Sequence, residues 1–471
     1  MDQTKQHRPD QDDVKAAAAG IYGEDGAVLG SVVANVVEAL DTDNDGALKQ
    51  LVSGLHESEL GDLIEALSPE QRRAIVVMMG EDFDYAALTE VDEAIRLDII
   101  ASLPNEQIAR SFSDLDSDDA VYILEDLEDS DQDDILSRLP FTERIRLRRS
   151  LDYPEESAGR RMQTEFVAVP PFWTVGQTID YMREDKDLPD TFSQIFVIDA
   201  TFHLVGAVYL DKILRTQRSV RVEEVMHETR HAIPAEMDQE EAAQIFERYD
   251  LLSAAVVDKN ERLVGVLTID DVVDVIQQEA EEDILRLGGV GDEELSDTVF
   301  AASRSRVPWL MVNLVTAFLA ASVISLFDAT IEQIVALAVL MPIVAGMGGN
   351  AGSQTMTVTV RALATKDLDI YNASRIIRRE MGVGVVNGIV FATLIGTVAG
   401  LWFGAQIGGI IAVAMVVNMF VAALAGIVIP LLLDRAGADP AVASAVFVTA
   451  VTDVVGFFAF LGLAAWWFGL G

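Results

Sequence analysis

The sequence predicts a multidomain membrane protein in which an all-α helical-repeat N domain and a duplicated α/β unit precede a five-helix transmembrane domain. Three observations lead to this fold class. Acidic residues are concentrated in the first two thirds of the chain, five long apolar stretches fill the last third, and two internal repeats precede the first apolar stretch. We expect a tail at 1–36, the helical-repeat N domain at 37–152, the α/β unit at 153–270, an acidic connecting helix at 271–306 and the transmembrane domain at 307–471.

Charge divides the chain near Arg306. Residues 1–306 contain 68 acidic and 28 basic side chains, whereas residues 307–471 contain eight and six. Carboxylates repel phosphates, so we expect no nucleic-acid partner and consider cations instead. Only seven of the 34 basic residues are lysine, which suggests a high-salt cytoplasm, where dense carboxylates could also serve solubility alone. The chain has no cysteine and therefore no thiolate metal site.

The apolar stretches are long enough to cross a bilayer, which takes about 20 helical residues. They are approximately Val307–Phe327, Ile334–Val360, Met381–Phe403, Ile407–Leu433 and Val442–Phe468. Basic residues precede the first stretch and occupy the second-to-third and fourth-to-fifth connections, while the other connections have none. The positive-inside rule then places the N-terminus in the cytoplasm. The polar segment Met1–Asp13 has no apolar signal region, so we expect a multi-pass protein of the plasma membrane, in contact with membrane lipid.

One ionisable residue, Asp453, lies within these five stretches, near the middle of the fifth. A carboxylate at this depth costs several kcal/mol unless water, a partner or a cation surrounds it. No lysine or arginine lies at comparable depth. A cation site in a water-filled pore explains the residue, and a protonated carboxyl hydrogen-bonded between helices is the alternative.

The second stretch contains Pro342 and four glycines around Asn350 and Gln354. These glycines and the proline are expected to weaken or break the helix, and free carbonyls are tolerated in a membrane only beside protein or water. Carbonyl and amide oxygens suit hard cations. The alternative is a small-residue packing face, which accounts for glycines but not for the two amides.

In the N domain an apolar residue recurs every 12 positions. The series is Leu55, Leu67, Met79, Val91, Leu103, Leu115, Leu127, Leu139 and Leu151. Turn and capping residues follow several members, which predicts a stack of short helices, roughly one per repeat. A domain of this kind usually senses or binds and does not catalyse.

The α/β unit repeats after 59 residues, since Phe196–Gly206 returns as Ala255–Gly265. Each copy predicts two short strands, a turn and flanking helices. The pattern resembles a pair of cystathionine-β-synthase (CBS) domains, a resemblance that implies ligand sensing and dimerisation. Thr268 and Asp271 match the adenosine-nucleotide signature of such domains in the second copy, so ATP is a candidate ligand there.

The segment after the repeat has helical periodicity and five acids on one broad side. They are Asp271, Asp274, Glu279, Glu282 and Asp283. Like charges at this spacing destabilise a helix, and a divalent cation would relieve the repulsion. A solvated acidic face explains the same pattern, and composition alone does not separate the two readings.

The order of the parts and three motifs resemble the MgtE family of magnesium channels, over nearly the whole chain from about Val37. The motifs are Tyr153-Pro-Glu-Glu-Ser-Ala-Gly159, Gly349-Asn350-Ala-Gly352-Ser-Gln354 and Thr452-Asp453-Val-Val-Gly456. The resemblance implies a homodimer with one pore for Mg²⁺. Asp453 matches the filter carboxylate, and the pore-lining positions are Gly349, Asn350, Gly352, Gln354 and Thr449. Ala445 stands where the family has a pore-lining asparagine, so the fine structure of the pore departs from the pattern.

The resemblance also implies that cytosolic Mg²⁺ closes the channel by bridging acidic surfaces. The matching sensor positions are Asp118, Asp238, Glu240, Asp250, Asp274, Glu279, Glu282 and Asp283. Tyr122 stands where a companion acid to Asp118 is expected. No nucleophile or zinc constellation appears, so we expect no enzyme. The rival hypotheses are an ion-coupled secondary transporter of divalent cations, with Asp453 as the coupling site, and a membrane-anchored nucleotide sensor.

Overall fold

A computed structural model describes residues 20–23, 26–113, 115–185, 188–189, 191–229, 231–290, 298–366, 368 and 373–470, without the side chains of 442–444. The chain forms two compact units, and the boundary falls between Gln278 and Glu279. Each unit has its own core and is described by itself.

The described residues in the first part of the first unit form a stack of nine α-helices. They are α1 Gly30–Asp41, α2 Asp45–Val52, α3 Glu57–Glu65, α4 Pro69–Met79, α5 Glu93–Ala101, α6 Asn105–Ser111, α7 Ser117–Glu125, α8 Asp129–Arg138 and α9 Phe141–Leu151. Capping explains several starts: Ser68 and Gln71 form a capping box around Pro69, and Pro104 and Pro140 precede α6 and α9. All nine members of the 12-residue series are buried in, or packed against, one core. The predicted helical-repeat domain is confirmed.

The duplicated unit forms two matching three-stranded sheets. The strands are β1 Ala168–Val169, β2 Gln194–Ile198, β3 Leu204–Tyr209, β4 Ile233–Pro234, β5 Ser253–Val257 and β6 Leu263–Thr268, and the helices are α10 Val175–Glu184, α11 Leu210–Arg215 and α12 Gln239–Tyr249. In each sheet the first strand is parallel to the second and the second antiparallel to the third. The two hairpin turns also match, because Asp199 and Asp258 each accept backbone N–H donors from their own turn. The repeat is therefore structural as well as sequential.

Helix α13, Ile269–Leu287, follows β6 directly. The sequence predicted one connecting element from 271 to 306; the structure instead ends α13 at Leu287, where Gly289 adopts a left-handed φ of +71°. The next described helix begins at Val299, and Thr298 caps it by accepting a hydrogen bond from the Ala301 N–H. The first apolar helix thus begins eight residues before the expected Val307.

The second unit contains five helices long and apolar enough to cross a membrane among its described residues. They are α14 Val299–Ser325, α16 Val335–Ala364, α17 Ala373–Phe403, α18 Ala405–Arg435 and α19 Pro440–Phe468, with the short α15 Asp328–Gln333 after α14. Small residues bring the backbones together, as where Gly384 meets Ala423 and Met419. Helix α18 is the most buried of the five. The five predicted spans are confirmed as helices of the expected length.

Candidate cation sites

Asp453 lies at mid-length of α19 and is partly buried. Thr449, one turn earlier, is exposed, as are Asn350 and Gln354 one turn apart on α16. Helices α16 and α19 touch through Gly352, which is buried against Val448 and Thr452. Helix α16 thus carries Asn350 and Gln354, and helix α19 carries Thr449 and Asp453; we call these four polar residues of the two packed helices the polar edge. Among the described residues no lysine or arginine pairs with Asp453.

The expectation of a weakened or broken second span was wrong. Helix α16 continues through Pro342 to Ala364, and two of its four glycines, Gly348 and Gly352, serve close packing against α18 and α19. A Cβ on Gly348 would overlap the Asn418 amide, and a Cβ on Gly352 would come within 2.5 Å of Val448 Cγ1. A Cβ on Gly349 would meet nothing within 4 Å. Of the predicted pore-lining residues, Gly352 is thus a packing residue in this chain, while Gly349, Asn350, Gln354 and Thr449 have open space or are exposed.

Sequence reasoning missed Asn418, which lies in α18 and has no exposed surface. Its Nδ2 donates a hydrogen bond of 2.8 Å to the Val344 carbonyl of α16. A Cβ on Gly456 of α19 would lie 2.9 Å from the same nitrogen. One amide therefore joins α16 to α18 and fits against α19 one turn after Asp453. A search for neutral polar residues within apolar stretches would have found it.

In the first unit Asp118 of α7 faces Asp271 of α13. Asp118 is buried and its Oδ1 has no hydrogen-bond partner among the described residues. Burial first, then the charges of Asp271 and Asp119, raises the pKa of Asp118 well above its usual value. Burial first, and then the charge of Asp271, raises the pKa of Asp119 to about 8. Burial raises the pKa of Asp271 to about 6. We call Asp118, Asp119 and Asp271 the acidic cluster.

Several of the residues predicted from the sequence lie in or near the acidic cluster. Thr268 donates its hydroxyl to Asp271, so the predicted nucleotide pair is joined internally and Asp271 faces other carboxylates. Asp274 lies one turn along α13, and burial, with Glu90 and Asp270, raises its pKa. Tyr122, at the position of the missing acid, lies between the Arg96 and Arg161 guanidinium groups, 4.6 and 5.1 Å from its ring centroid. Asp119 was not singled out from the sequence.

The structure does not bring Asp238, Glu240 and Asp250 into one site. Asp238 caps the start of α12 by accepting from the N–H groups of Glu240 and Glu241, at 3.0 and 3.3 Å. Asp250 ends the same helix in a left-handed conformation, φ +51°. The two residues lie at opposite ends of the helix, about 18 Å apart along its axis at 1.5 Å per residue. Any shared ion would need further ligands from elsewhere.

In the second unit the end of α13 contacts the start of α19. Arg286 Nη1 lies 2.7 Å from Asp439 Oδ2, and Arg286 also pairs with Glu282. Burial, and then Asp439, raises the pKa of Asp283. Leu287 packs in an apolar cluster with Met356, Val360, Ala441 and Val448. Neither Arg286 nor Asp439 was predicted, although an Asp-Pro pair at the start of a span indicates a helix cap.

These carboxylates meet in pairs. No group of three or more Asp, Glu or His side chains forms a ready-made metal site in the described part of the chain. Mg²⁺ sheds water reluctantly and is commonly held by one or two carboxylates with its remaining waters. The unpartnered Asp118 Oδ1 beside Asp271, and Asp283 beside Asp439, are donor sets of that kind.

The sequence matches three family profiles in order along the chain. Residues 55–156 match the MgtE intracellular N domain, 158–219 and 222–278 match CBS domains, and 341–463 match MgtE, described as a divalent cation transporter. The predicted fold class is thereby confirmed.

Similar proteins span nearly the same length. The chain is 31% identical to the magnesium transporter MgtE of Thermus thermophilus, over 91% of this chain and 96% of that one. It is 29% identical to the Bacillus subtilis protein of the same name, over 89% and 94%. A solved cytosolic domain of the Mg²⁺ channel MgtE, in complex with ATP, is 27% identical and covers 52% of this chain and 99% of that one, with a TM-score of 0.48. The chain therefore belongs to the MgtE family and is a multi-pass membrane protein with a cytoplasmic N-terminal domain.

Proposed function

We propose that this protein is a magnesium-selective channel that mediates Mg²⁺ influx and is closed by cytosolic Mg²⁺. The observation that carries the proposal is Asp453, a carboxylate at mid-length of a membrane-spanning helix with no basic partner among the described side chains. A permeating divalent cation supplies the positive charge that Asp453 otherwise lacks. The relatives named as magnesium transporters support Mg²⁺ as that ion.

We infer a homodimer, and the exposure of the polar edge supports this inference. Asn350, Gln354 and Thr449 are exposed in the single chain, and polar side chains facing lipid are costly. A second copy placed against this edge encloses water between two sets of polar groups. Each pore then holds two copies of Asp453, which bind Mg²⁺ through its water shell and select by the size of the hydrated ion.

Gating begins at the acidic cluster. Asp118, Asp119 and Asp271 share a buried region, where carboxylates repel one another more strongly than in water. Mg²⁺ bound there offsets the repulsion and stabilises the contact between α7 and α13. When cytosolic Mg²⁺ falls, the ionised carboxylates favour separation of the two helices.

The end of α13 transmits the change to the pore. Arg286 holds Asp439, and Asp439 Oδ1 accepts from the Ala441 N–H at the start of α19. Asp453 lies 14 residues further along the same helix, about 21 Å away. Docking of α13 therefore fixes the helix that carries the filter carboxylate, and release of α13 frees it.

Recordings from purified protein in planar bilayers test the channel mechanism. We expect discrete Mg²⁺ currents that persist without a proton or sodium gradient and decline as Mg²⁺ is added on the cytosolic side. Flux that requires a proton or sodium gradient, with no unitary currents, would establish coupled transport in place of a channel.

A further inference from the structure

Helix α17 presents an exposed face that changes from basic to apolar along its length. Arg375 and Arg379, one turn apart near the start of the helix, lie on the same side as Val386, Ile389 and Val390 at about 3.6 residues per turn. All five side chains are exposed, and the three apolar ones are each more than half exposed. We call these five residues the outer face of α17.

The opposite side of α17 packs against α18 through small residues. A Cβ on Gly384 would lie 2.7 Å from Ala423 Cβ, and a Cβ on Gly388 would lie 3.1 Å from Val416 Cα. These close approaches fix the rotation of α17 about its axis, so its outer face points away from α18. The polar edge lies on two other helices, α16 and α19, and the outer face of α17 is therefore a second, separate surface of the membrane unit.

A buried neighbour holds Arg379 at this face. The side chain of Glu380 is only 10% exposed, and its Oε1 accepts hydrogen bonds from Nε and Nη2 of Arg379, at 3.0 and 2.6 Å. This pair uses one edge of the guanidinium group, and the Arg379 side chain remains 62% exposed, so Nη1 can donate to an anion outside the helix. Among the described side chains Arg375 has no carboxylate partner, and its donors are available as well.

The outer face of α17 has the length of one leaflet of a bilayer. Arg379 and Val390 are 11 residues apart, about 17 Å along the helix at 1.5 Å per residue. Half of a hydrocarbon core of about 30 Å is about 15 Å. The basic end of α17 is cytosolic, because the N-terminal domain is cytoplasmic and α14 and α16 each cross the membrane once before α17 begins. The face thus runs from the cytosolic surface to about the middle of the bilayer.

We propose that the outer face of α17 binds an anionic phospholipid of the cytosolic leaflet. Its phosphate accepts hydrogen bonds from Arg375 and Arg379, and its acyl chains lie along the three apolar residues of the face. A guanidinium group can donate two parallel hydrogen bonds to one phosphate, so the arginines match this headgroup in charge and geometry. A second copy of the chain does not fit the face. Two-fold symmetry about an axis along the membrane normal would place both arginines opposite their own copies, where like charges repel.

Native mass spectrometry of the full-length protein in detergent tests the proposal, with phosphatidylglycerol and phosphatidylcholine of identical acyl chains as probes. The unmodified protein should bind phosphatidylglycerol more tightly. The double variant Arg375→Gln/Arg379→Gln should bind this lipid about tenfold more weakly, because two charged hydrogen-bond donors are lost, and should bind phosphatidylcholine as before. The control Arg304→Gln/Arg435→Gln removes the same charge from the cytosolic ends of α14 and α18 and should keep the preference. Melting temperatures show whether both variants fold, and the single variant Arg375→Gln, which leaves the pair of Arg379 and Glu380 intact, should lose part of the same affinity.

The same spectra distinguish a lipid from other occupants of the face. Glycerol 3-phosphate, which has a phosphate but no acyl chains, should not displace bound phosphatidylglycerol; displacement at equal concentration would overturn the lipid and leave a phosphate site. Equal binding of the two lipids by the unmodified protein, or equal loss of phosphatidylglycerol binding in both arginine pairs, would refute a specific site. Loss of the dimer in Arg375→Gln/Arg379→Gln would assign the face to a second copy of the chain. Lipid binding is measured without flux, so none of these results bears on the pore.

Discussion

Arg286 Nη1 lies 2.7 Å from Asp439 Oδ2, although 152 residues separate the two in sequence. The contact joins the end of the cytosolic helix α13 to the cap of the last span, α19. It also brings a fixed positive charge among Glu282, Asp283 and Asp439. In the gating that we propose, Arg286 is a permanent counterion at a position where Mg²⁺ is a removable one.

Replacing Arg286 by Gln should make closure more dependent on Mg²⁺. The three carboxylates would then repel without a resident cation, and the cytosolic Mg²⁺ concentration for half-inhibition should rise about two- to fivefold, as for a partly exposed ion pair of about 0.5–1 kcal/mol. Liposome flux with varied internal Mg²⁺ measures this shift. Arg435→Gln, at the end of α18, is the matched control. A half-inhibition concentration that stays the same in Arg286→Gln would show that the contact does not transmit closure.

Replacing Asp283 by Asn should also weaken inhibition. Burial, and then the charge of the neighbouring Asp439, raises the pKa of Asp283. In the proposed sensor these two carboxylates form a ligand pair for Mg²⁺. Loss of one partner should raise the half-inhibitory concentration several-fold, while Asp434→Asn should leave it unchanged. The same liposome assay compares the two, and equal inhibition in both would remove Asp283 from the sensor.

Stability without Mg²⁺ should fall as pH rises, because the acidic cluster ionises. The folded-state pKa values of Asp119 and Asp271 are about 8 and 6, above the unfolded value near 3.9. Below about pH 4 these carboxyl groups are protonated in both the folded and the unfolded state, so they do not lower the free energy of unfolding. From there to about pH 8 the folded state holds more protons, so each rise in pH lowers the free energy of unfolding.

The melting temperature of the full chain in EDTA at pH 5 and pH 8 measures this effect. We expect the lower value at pH 8, and added Mg²⁺ should restore it. Asp118→Asn should reduce the pH dependence, whereas Asp131→Asn, an exposed acid of α8, should not. An equal reduction by the two variants would assign the effect to overall charge and not to the cluster.

Gly348→Ala should destabilise the membrane unit, because the added Cβ would overlap the Asn418 amide. Gly346→Ala on the same helix meets nothing within 4 Å and should be tolerated. Asn418→Ala removes the hydrogen bond to Val344, a loss of about 0.6–2 kcal/mol in a membrane. It also makes room, so the double variant Gly348→Ala/Asn418→Ala should be more stable than the sum of the two changes predicts. Thermal unfolding in detergent tests this coupling, and strict additivity would contradict the packing.

Periodic features were predictable from the sequence. The 12-residue series, which includes the buried residues Leu67 and Leu103, predicted the helical N domain, because each short helix buries an apolar residue at the same position of its repeat. The side-chain contacts of the candidate sites were harder to predict from the sequence. Arg286 with Asp439, and Asn418 with Val344, are each distant in sequence and leave no periodic trace. The glycines of α16 predict a weakened helix from sequence alone, because the packing partners of Gly348 and Gly352 lie on other helices, α18 and α19.

Flux of Mg²⁺ into liposomes through Asp453→Ala tests the central claim most directly. The variant keeps a helix-favouring residue and should fold, with a melting temperature near that of the unmodified protein. Its Mg²⁺ flux should fall to that of empty liposomes, while Asp328→Ala, at the start of α15, should conduct normally. Undiminished flux through folded Asp453→Ala would contradict the assignment of this carboxylate to the ion path.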